Sequence, residues 1–206
     1  MPLQETFDIR ALGIVGSPRR GGNTEILVDE VLRGAGEAGA LTEKVVLSEL
    51  DIRPCRACDA CREVGRCVQR DDMAGLLEQM QHSQLWVLGT PVYWWGPTAQ
   101  FKAFLDRWYG ARQVRFAGRR VILAIPMGAG SVDFARHTLG MLRDTLAYVR
   151  AKIVATVLAP AAYSPGAVRR YADVLAEARR AGREAILAPE GYSLPAIQEI
   201  ARTEVR

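Results

Sequence analysis

The sequence predicts a doubly wound α/β fold, a five-stranded parallel sheet with helices on both faces. Three observations carry that reading. Apolar runs of strand length recur five times, and each leads through a loop into a segment with helical spacing. Several of the runs are nearly continuous in apolar residues, as parallel strands buried on both faces require. At 206 residues and 49% hydrophobic, the chain is long enough to bury a full core.

The elements follow in order. Ile9–Val15 is the first strand, and Asn23–Glu37 the first helix, with Leu27, Val28, Val31 and Leu32 on one face and Asn23 or Thr24 as N-cap. Leu41–Leu47 is the second strand. Asp71 and Asp72 precede a helix over Met73–Met80 as cap and acidic first turn. Gln84–Gly89, Arg120–Pro126 and Lys152–Ala159 are the remaining strands. The helices between and after them are Pro97–Arg107, with proline near its start, Val132–Tyr148 and Gly166–Ala185. Residues 1–188 form one domain on this reading. Residues 189–206, with a helical fragment at Leu194–Ile200, form an arm packed on the body or on a second subunit.

Composition removes several classes of function. Met1–Thr6 is polar and lacks the apolar core of a secretory signal. No apolar run reaches the roughly 18 residues of a membrane helix. A reducing, cytoplasmic setting is expected, where disulfides are disfavoured. The net charge of +4 comes mostly from scattered arginines rather than a basic stripe interleaved with aromatics, so nucleic-acid binding is not expected.

Ligands of such sheets bind beyond the carboxyl ends of the strands. The first strand runs into Gly16-Ser17-Pro18-Arg19-Arg20-Gly21-Gly22-Asn23-Thr24 and a helix. Glycines allow close approach, the helix N-terminus favours an anion, and Ser17, Arg19, Asn23 and Thr24 supply donors and charge. This suits a monophosphate; an ordinary glycine-rich turn into a capped helix is the plain alternative. The third strand exits into Pro91, Val92, Tyr93, Trp94 and Trp95. Adjacent large aromatics at a strand exit suit a flat apolar ring such as an isoalloxazine, or a plug against a neighbouring subunit. The turn after the fourth strand, with Gly128 and Ser131, would approach the same ring from its other side.

Cysteine occurs only within a window of thirteen residues, as Cys55, Cys58, Cys61 and Cys67. Thiols this dense suit one soft metal centre. Zinc sites favour two separated pairs, whereas a Cys-x-x-Cys-x-x-Cys run favours a cubane that calls on a fourth cysteine, here Cys67. A 4Fe–4S cluster, zinc and reduced free thiols all stay open on the residues alone. Arg53, Arg56, Arg62 and Arg66 interleave the thiols and would offset a cluster's negative charge, or are plain surface arginines. His82 and His137 stand apart and are assigned no role.

Taken together, Gly16-Ser17-Pro18-Arg19 with Asn23-Thr24, Thr90-Pro91-Val92-Tyr93-Trp94 and Ala99-Gln100-Phe101-Lys102-Ala103-Phe104-Leu105-Asp106-Arg107 resemble the flavodoxin-like NAD(P)H-dependent FMN reductases. Pro54-Cys55-Arg56-Ala57-Cys58-Asp59-Ala60-Cys61, then Cys67 and Asp71-Asp72-Met73, resemble the iron-sulfur flavoprotein subgroup. The similarity spans about residues 9–130. It implies the sheet order 2-1-3-4-5, one FMN per subunit, a homodimer or homotetramer and, in cluster-bearing members, a 4Fe–4S centre on the cysteine loop. It also implies an oxidoreductase that takes hydride from NAD(P)H. Electrons would go on to a quinone, nitro, azo or flavin acceptor, or through the cluster to a partner such as ferredoxin. The flavin performs such chemistry, so no residue is expected as acid, base or nucleophile. The rival readings are a flavodoxin-like electron carrier without small-molecule turnover, and a cysteine-based redox or metal module without flavin.

Overall fold

The strands form where the apolar runs lie: β1 Arg10–Val15, β2 Leu41–Val46, β3 Leu85–Gly89, β4 Arg120–Pro126 and β5 Lys152–Ala159. All pair in parallel, in the flavodoxin-like order β2-β1-β3-β4-β5. The structure is a computed structural model and describes residues 9–188. The arm expected at 189–206 lies outside the described residues.

β3 is central, and all five of its residues are buried. β2 is an edge strand, exposed from Leu41 to Lys44, and its polar face is neutralised by ion pairs of Arg10 with Glu43 and of Lys44 with Glu25 and Asp29. Alternation along β1 divides the core into two layers. Ala11 and Val15 pack with α1 (Asn23–Glu37) and α6 (Ala172–Leu187). Leu12 and Ile14 pack with α3 (Met73–His82), α4 (Ala99–Asp106) and α5 (Arg136–Tyr148). On the second face Trp86 is fully buried, and its indole N–H donates to the Met80 carbonyl at 3.1 Å, which pins the end of α3. α1 and α6 touch backbone to backbone: a Cβ on Gly34 would lie 1.8 Å from the Arg179 carbonyl oxygen, and one on Gly182 would lie 1.9 Å from that of Val31.

The helix boundaries differ from those expected in ways with clear causes. The expected Pro97 start moves to Ala99 because Thr98 is the N-cap, its hydroxyl accepting from Phe101 N–H at 3.2 Å. Arg107–Gly110, Val132–Ala135 and Ala167–Arg170 are 3₁₀ turns rather than α-helix. Asn23 and Thr24 are not caps, since Gly22 holds that position with no side-chain bond. Asp72 is the N-cap of α3 without a capping bond, and it is Asp71 that accepts from Met73 N–H at 3.3 Å. A short helix within the cysteine loop, α2 (Ala60–Val64), was not expected. No helix among the described residues is long and apolar enough to cross a membrane.

Candidate functional site

Four of the five loops leaving the carboxyl edge of the sheet are hydrogen-bonded into one rim. Gly16 N–H donates to the Gly89 carbonyl at 2.7 Å, and Val92 N–H to the Pro126 carbonyl at 3.3 Å. Met127 is tied to β5 and to the loop after it by bonds with Ala159 and Ala162. Asn23 closes the ring. Its amide NH₂ donates to the carbonyls of Ala162 and Ser164 at 2.7 and 2.8 Å, and its oxygen accepts from Val168 N–H at 3.1 Å. This corrects the expectation that the Asn23 side chain faces a phosphate, because every polar atom of the amide is spent on the backbone. What Asn23 can offer an anion is its main-chain N–H.

Within the first loop, the charges sort themselves. Arg20 pairs with Glu25 and Glu49, and Lys44 pairs with the same Glu25 oxygen as Arg20. Burial disfavours the charged Glu25 carboxylate. Hydrogen bonds from Lys44 and Gly21 N–H, with the Lys44 and Arg20 charges, outweigh that and hold its carboxyl below the usual range. Arg19 is exposed and makes no ion pair among the described residues. The buried Ser17 hydroxyl accepts from Arg19 N–H at 3.2 Å. The N–H groups of Ser17, Arg20, Asn23 and Thr24 have no partner among the described residues. Bare amides around a helix N-terminus, with an exposed arginine beside them, suit an anion. A Cβ on Gly16 would lie 2.6 Å from the Phe101 ring and 2.9 Å from the Gly89 carbonyl, so only glycine lets the loop sit this close to β3.

The third loop is a tight hairpin. Tyr93 and Gly96 exchange both backbone bonds, at 2.8 and 3.0 Å, around Trp94 and Trp95. Those two residues have φ of 50° and 62°, the backbone of a type I′ turn that normally takes Asn-Gly. Each non-glycine residue there costs about 1–2 kcal/mol. Trp94 is 92% exposed at the tip, and Trp95 stacks on Phe134 with ring centroids 6.0 Å apart. Neither tryptophan N–H has a partner among the described residues. Strain that presents two free donors and two indoles to the rim fits a flat polar-edged ring better than it fits folding. Pro91 and Val92 lead into this turn. From the fourth loop, Gly128 lies under Tyr163, and the Ser131 hydroxyl accepts from Asp133 N–H at 3.2 Å.

The fifth loop, after β2, carries the cysteines. Cys55 and Cys58 are exposed, Cys67 is half-buried and Cys61 buried, and all line one pocket. Ala57 and Asp59 sit at positive φ between the thiols, at 50° and 54°. Among the described residues no three His, Cys, Asp or Glu side chains converge as metal ligands. Two observations nevertheless suit an anionic thiolate-held group. A Cβ on Gly110 would lie 3.3 Å from both Cys61 and Cys67 Cβ, so glycine keeps the pocket wall open. The buried Arg107 guanidinium also borders the pocket, its Nε–H without a partner among the described residues.

Arg107 holds the loop in place. It binds Asp71 through both terminal nitrogens, at 2.5 and 3.0 Å, and donates to the Arg53 carbonyl at 2.8 Å. Burial works against both charges. For Asp71, the Arg107 bonds, the N–H groups of Arg53 and Met73 and the Arg107 charge prevail and lower the carboxyl. For Arg107, Asp71 and the Cys67 thiol prevail and raise the guanidinium.

The sequence alone assigned no site role to Thr98, Phe134, Tyr163, Gly110 or Arg107, the last of which it placed only in the α4 motif. Thr98 had a signal, a threonine ahead of an apolar helical run. The others acquire their place only through contacts with residues distant in the chain.

The NADPH-dependent FMN reductase family matches residues 9–164 of the chain. The chain belongs to that family. Within it, the chain groups with proteins named iron-sulfur flavoproteins. One from Methanocaldococcus jannaschii is 40% identical over 99 residues, which are 48% of this chain and 51% of that protein. Another, from Methanosarcina thermophila, is 37% identical over 137 residues, 66% of this chain and 72% of that one. The chain thus spans about half the length of the first of these relatives. Among solved structures, a flavone reductase superposes with a TM-score of 0.71 at 23% identity, over 91% of this chain and 66% of that one, a likeness of fold.

Proposed function

We propose that the chain is an FMN-dependent NAD(P)H oxidoreductase. The single observation that carries the reading is the rim of loops, in which N–H groups without a partner among the described residues accompany Arg19 in the first loop and the strained tryptophan turn in the third. The N–H groups of Ser17, Arg20, Asn23 and Thr24, with Arg19, would hold the FMN phosphate. The N–H groups of Trp94 and Trp95 would face the polar edge of the flavin ring, and Tyr93, Trp94 and Trp95 would shield it from water. Gly128 and Ser131 would line the opposite side. Bound FMN would supply the redox chemistry, accepting hydride from a nicotinamide and returning electrons to a quinone, nitro, azo or flavin acceptor.

The four thiols would hold a 4Fe–4S cluster, supplying a one-electron outlet. Exposed Arg56, Arg62 and Arg66 beside them suit an acidic electron-transfer partner such as a ferredoxin. The exposed aromatic turn suits burial in a homodimer or homotetramer, and free thiols suit the cytoplasm.

The test is an anaerobic purification with a visible spectrum, iron and sulfide analysis, light scattering, and steady-state NAD(P)H oxidation with a quinone. Bound FMN and turnover are expected, with about four irons per chain. A yellow protein without turnover would instead be an electron carrier. A colourless one that takes up no FMN ends the reading.

A further inference from the structure

We propose that Arg107 is the residue that sets the redox potential of the group held by the four thiols, acting through its Nε–H and its charge on the Cys67 side of the pocket. The inference rests on the cluster reading above.

Arg107 opens the 3₁₀ turn Arg107–Gly110 that follows α4. At three residues per turn, Arg107 and Gly110 fall on the same side. That side is the thiol pocket, where Gly110 leaves room beside Cys61 and Cys67 and Arg107 lies against Cys67. The guanidinium is 2% exposed, and both of its terminal nitrogens are anchored, one on Asp71 and the Arg53 carbonyl and the other on Asp71, with the Cys67 thiol beside them. So anchored, the side chain cannot turn its Nε–H away from the pocket wall. A buried charged N–H left unmade is costly, and a redox role, a bound ion or a bound water is the standard reason for one in a native structure. Bidentate binding of Asp71 requires the planar fork of arginine, and the same plane aims Nε–H away from Asp71.

Taking up one electron makes or breaks no bond but adds one negative charge at the thiolate-held group. A fixed cation and an N–H donor stabilise that more negative state, so they raise the potential. Asp71 has the complementary task. It neutralises the arginine when the pocket is less charged and prevents the side chain from turning out to solvent.

The experiment is dithionite titration of the iron-loaded protein, followed by electron paramagnetic resonance, in the wild type, Arg107→Lys and Arg107→Gln. FMN retention serves as the check on folding. Both variants should shift to more negative potential, Arg107→Gln further than Arg107→Lys, which keeps the charge. Wild-type potential in both variants at full iron loading would overturn the proposal. If the variants do not fold, pulsed resonance on the unmutated protein grown with guanidinium-nitrogen-15 arginine decides. A nitrogen-15 coupling to the reduced centre is expected, and its absence overturns the proposal. Absence of iron and sulfide from the wild type itself would instead refute the cluster reading, and this inference with it.

Discussion

The Thr98 hydroxyl donates to the Gly16 carbonyl, joining loops 82 residues apart in the chain, and at the same time accepts from Phe101 N–H as the N-cap of α4. One buried oxygen thus fixes the phosphate-type loop against the aromatic loop and starts the helix that leads to the cysteine pocket. Thr98→Val removes both bonds while keeping the shape. Losing the cap costs about 1 kcal/mol, and leaving the buried Gly16 carbonyl without this donor costs about 1–3 kcal/mol more. Denaturant unfolding should show that loss, with FMN retention falling alongside it, and Thr98→Ser should restore most of both. Wild-type stability in Thr98→Val would remove the hydroxyl from this role.

Arg19 makes no ion pair among the described residues, and its exposed side chain does little for folding. Arg19→Ala should leave the melting temperature within experimental scatter. It should weaken FMN binding by about 1.5–3 kcal/mol, the worth of one charge-assisted contact, or roughly ten- to a hundredfold in Kd. Fluorescence titration of the apoprotein with FMN measures this. Unchanged affinity would exclude Arg19 as a phosphate contact.

The tryptophan turn predicts a trade between stability and function. Asparagine tolerates the left-handed conformation that Trp94 is held in, so Trp94→Asn should stabilise the apoprotein by about 1 kcal/mol. It should also slow NAD(P)H oxidation or loosen FMN by uncovering the ring. Thermal melts and turnover, measured on the same preparation, are the check. A variant both less stable and fully active would contradict the assignment.

The Asp71–Arg107 pair predicts a pH dependence with a definite sign. The Asp71 carboxyl is lowered in the folded protein, so its contribution is fully present above the ordinary carboxylate pKa of about 4 and is lost as pH falls through the lowered native value. Asp71→Asn should cost about 3 kcal/mol at neutral pH, because it leaves a buried guanidinium without its charge partner. The gap between variant and wild type should then narrow as pH drops below about 4. A gap that stays constant down to the lowest pH at which both proteins fold would show that the pair is not what stabilises the loop.

The helix interface supplies the purest stability test. Gly34→Ala places a methyl 1.8 Å from the Arg179 carbonyl oxygen of α6, and a backbone atom cannot swing aside as a side chain can. The helices must separate, at a cost of about 3 kcal/mol, with FMN affinity little changed because the contact is remote from the rim.

Strand positions, the register of apolar faces and the density of thiols were all written in local spacing. β4 and β5 run where their apolar residues predict, and α1 keeps its expected span, because period and burial are properties of neighbouring residues. The sequence also confined the chemistry to the strand exits, with glycine, arginine and aromatics at one edge of the sheet. Tertiary structure decided which of those groups are free to act. Asn23 was turned from a ligand into a latch by carbonyls some 140 residues away, Arg20 was taken up by Glu25 and Glu49, and Arg107 was brought to the thiols by Asp71. A side chain's type states what it can bind, but competition among buried partners states what it does bind, and that competition exists only after the loops meet.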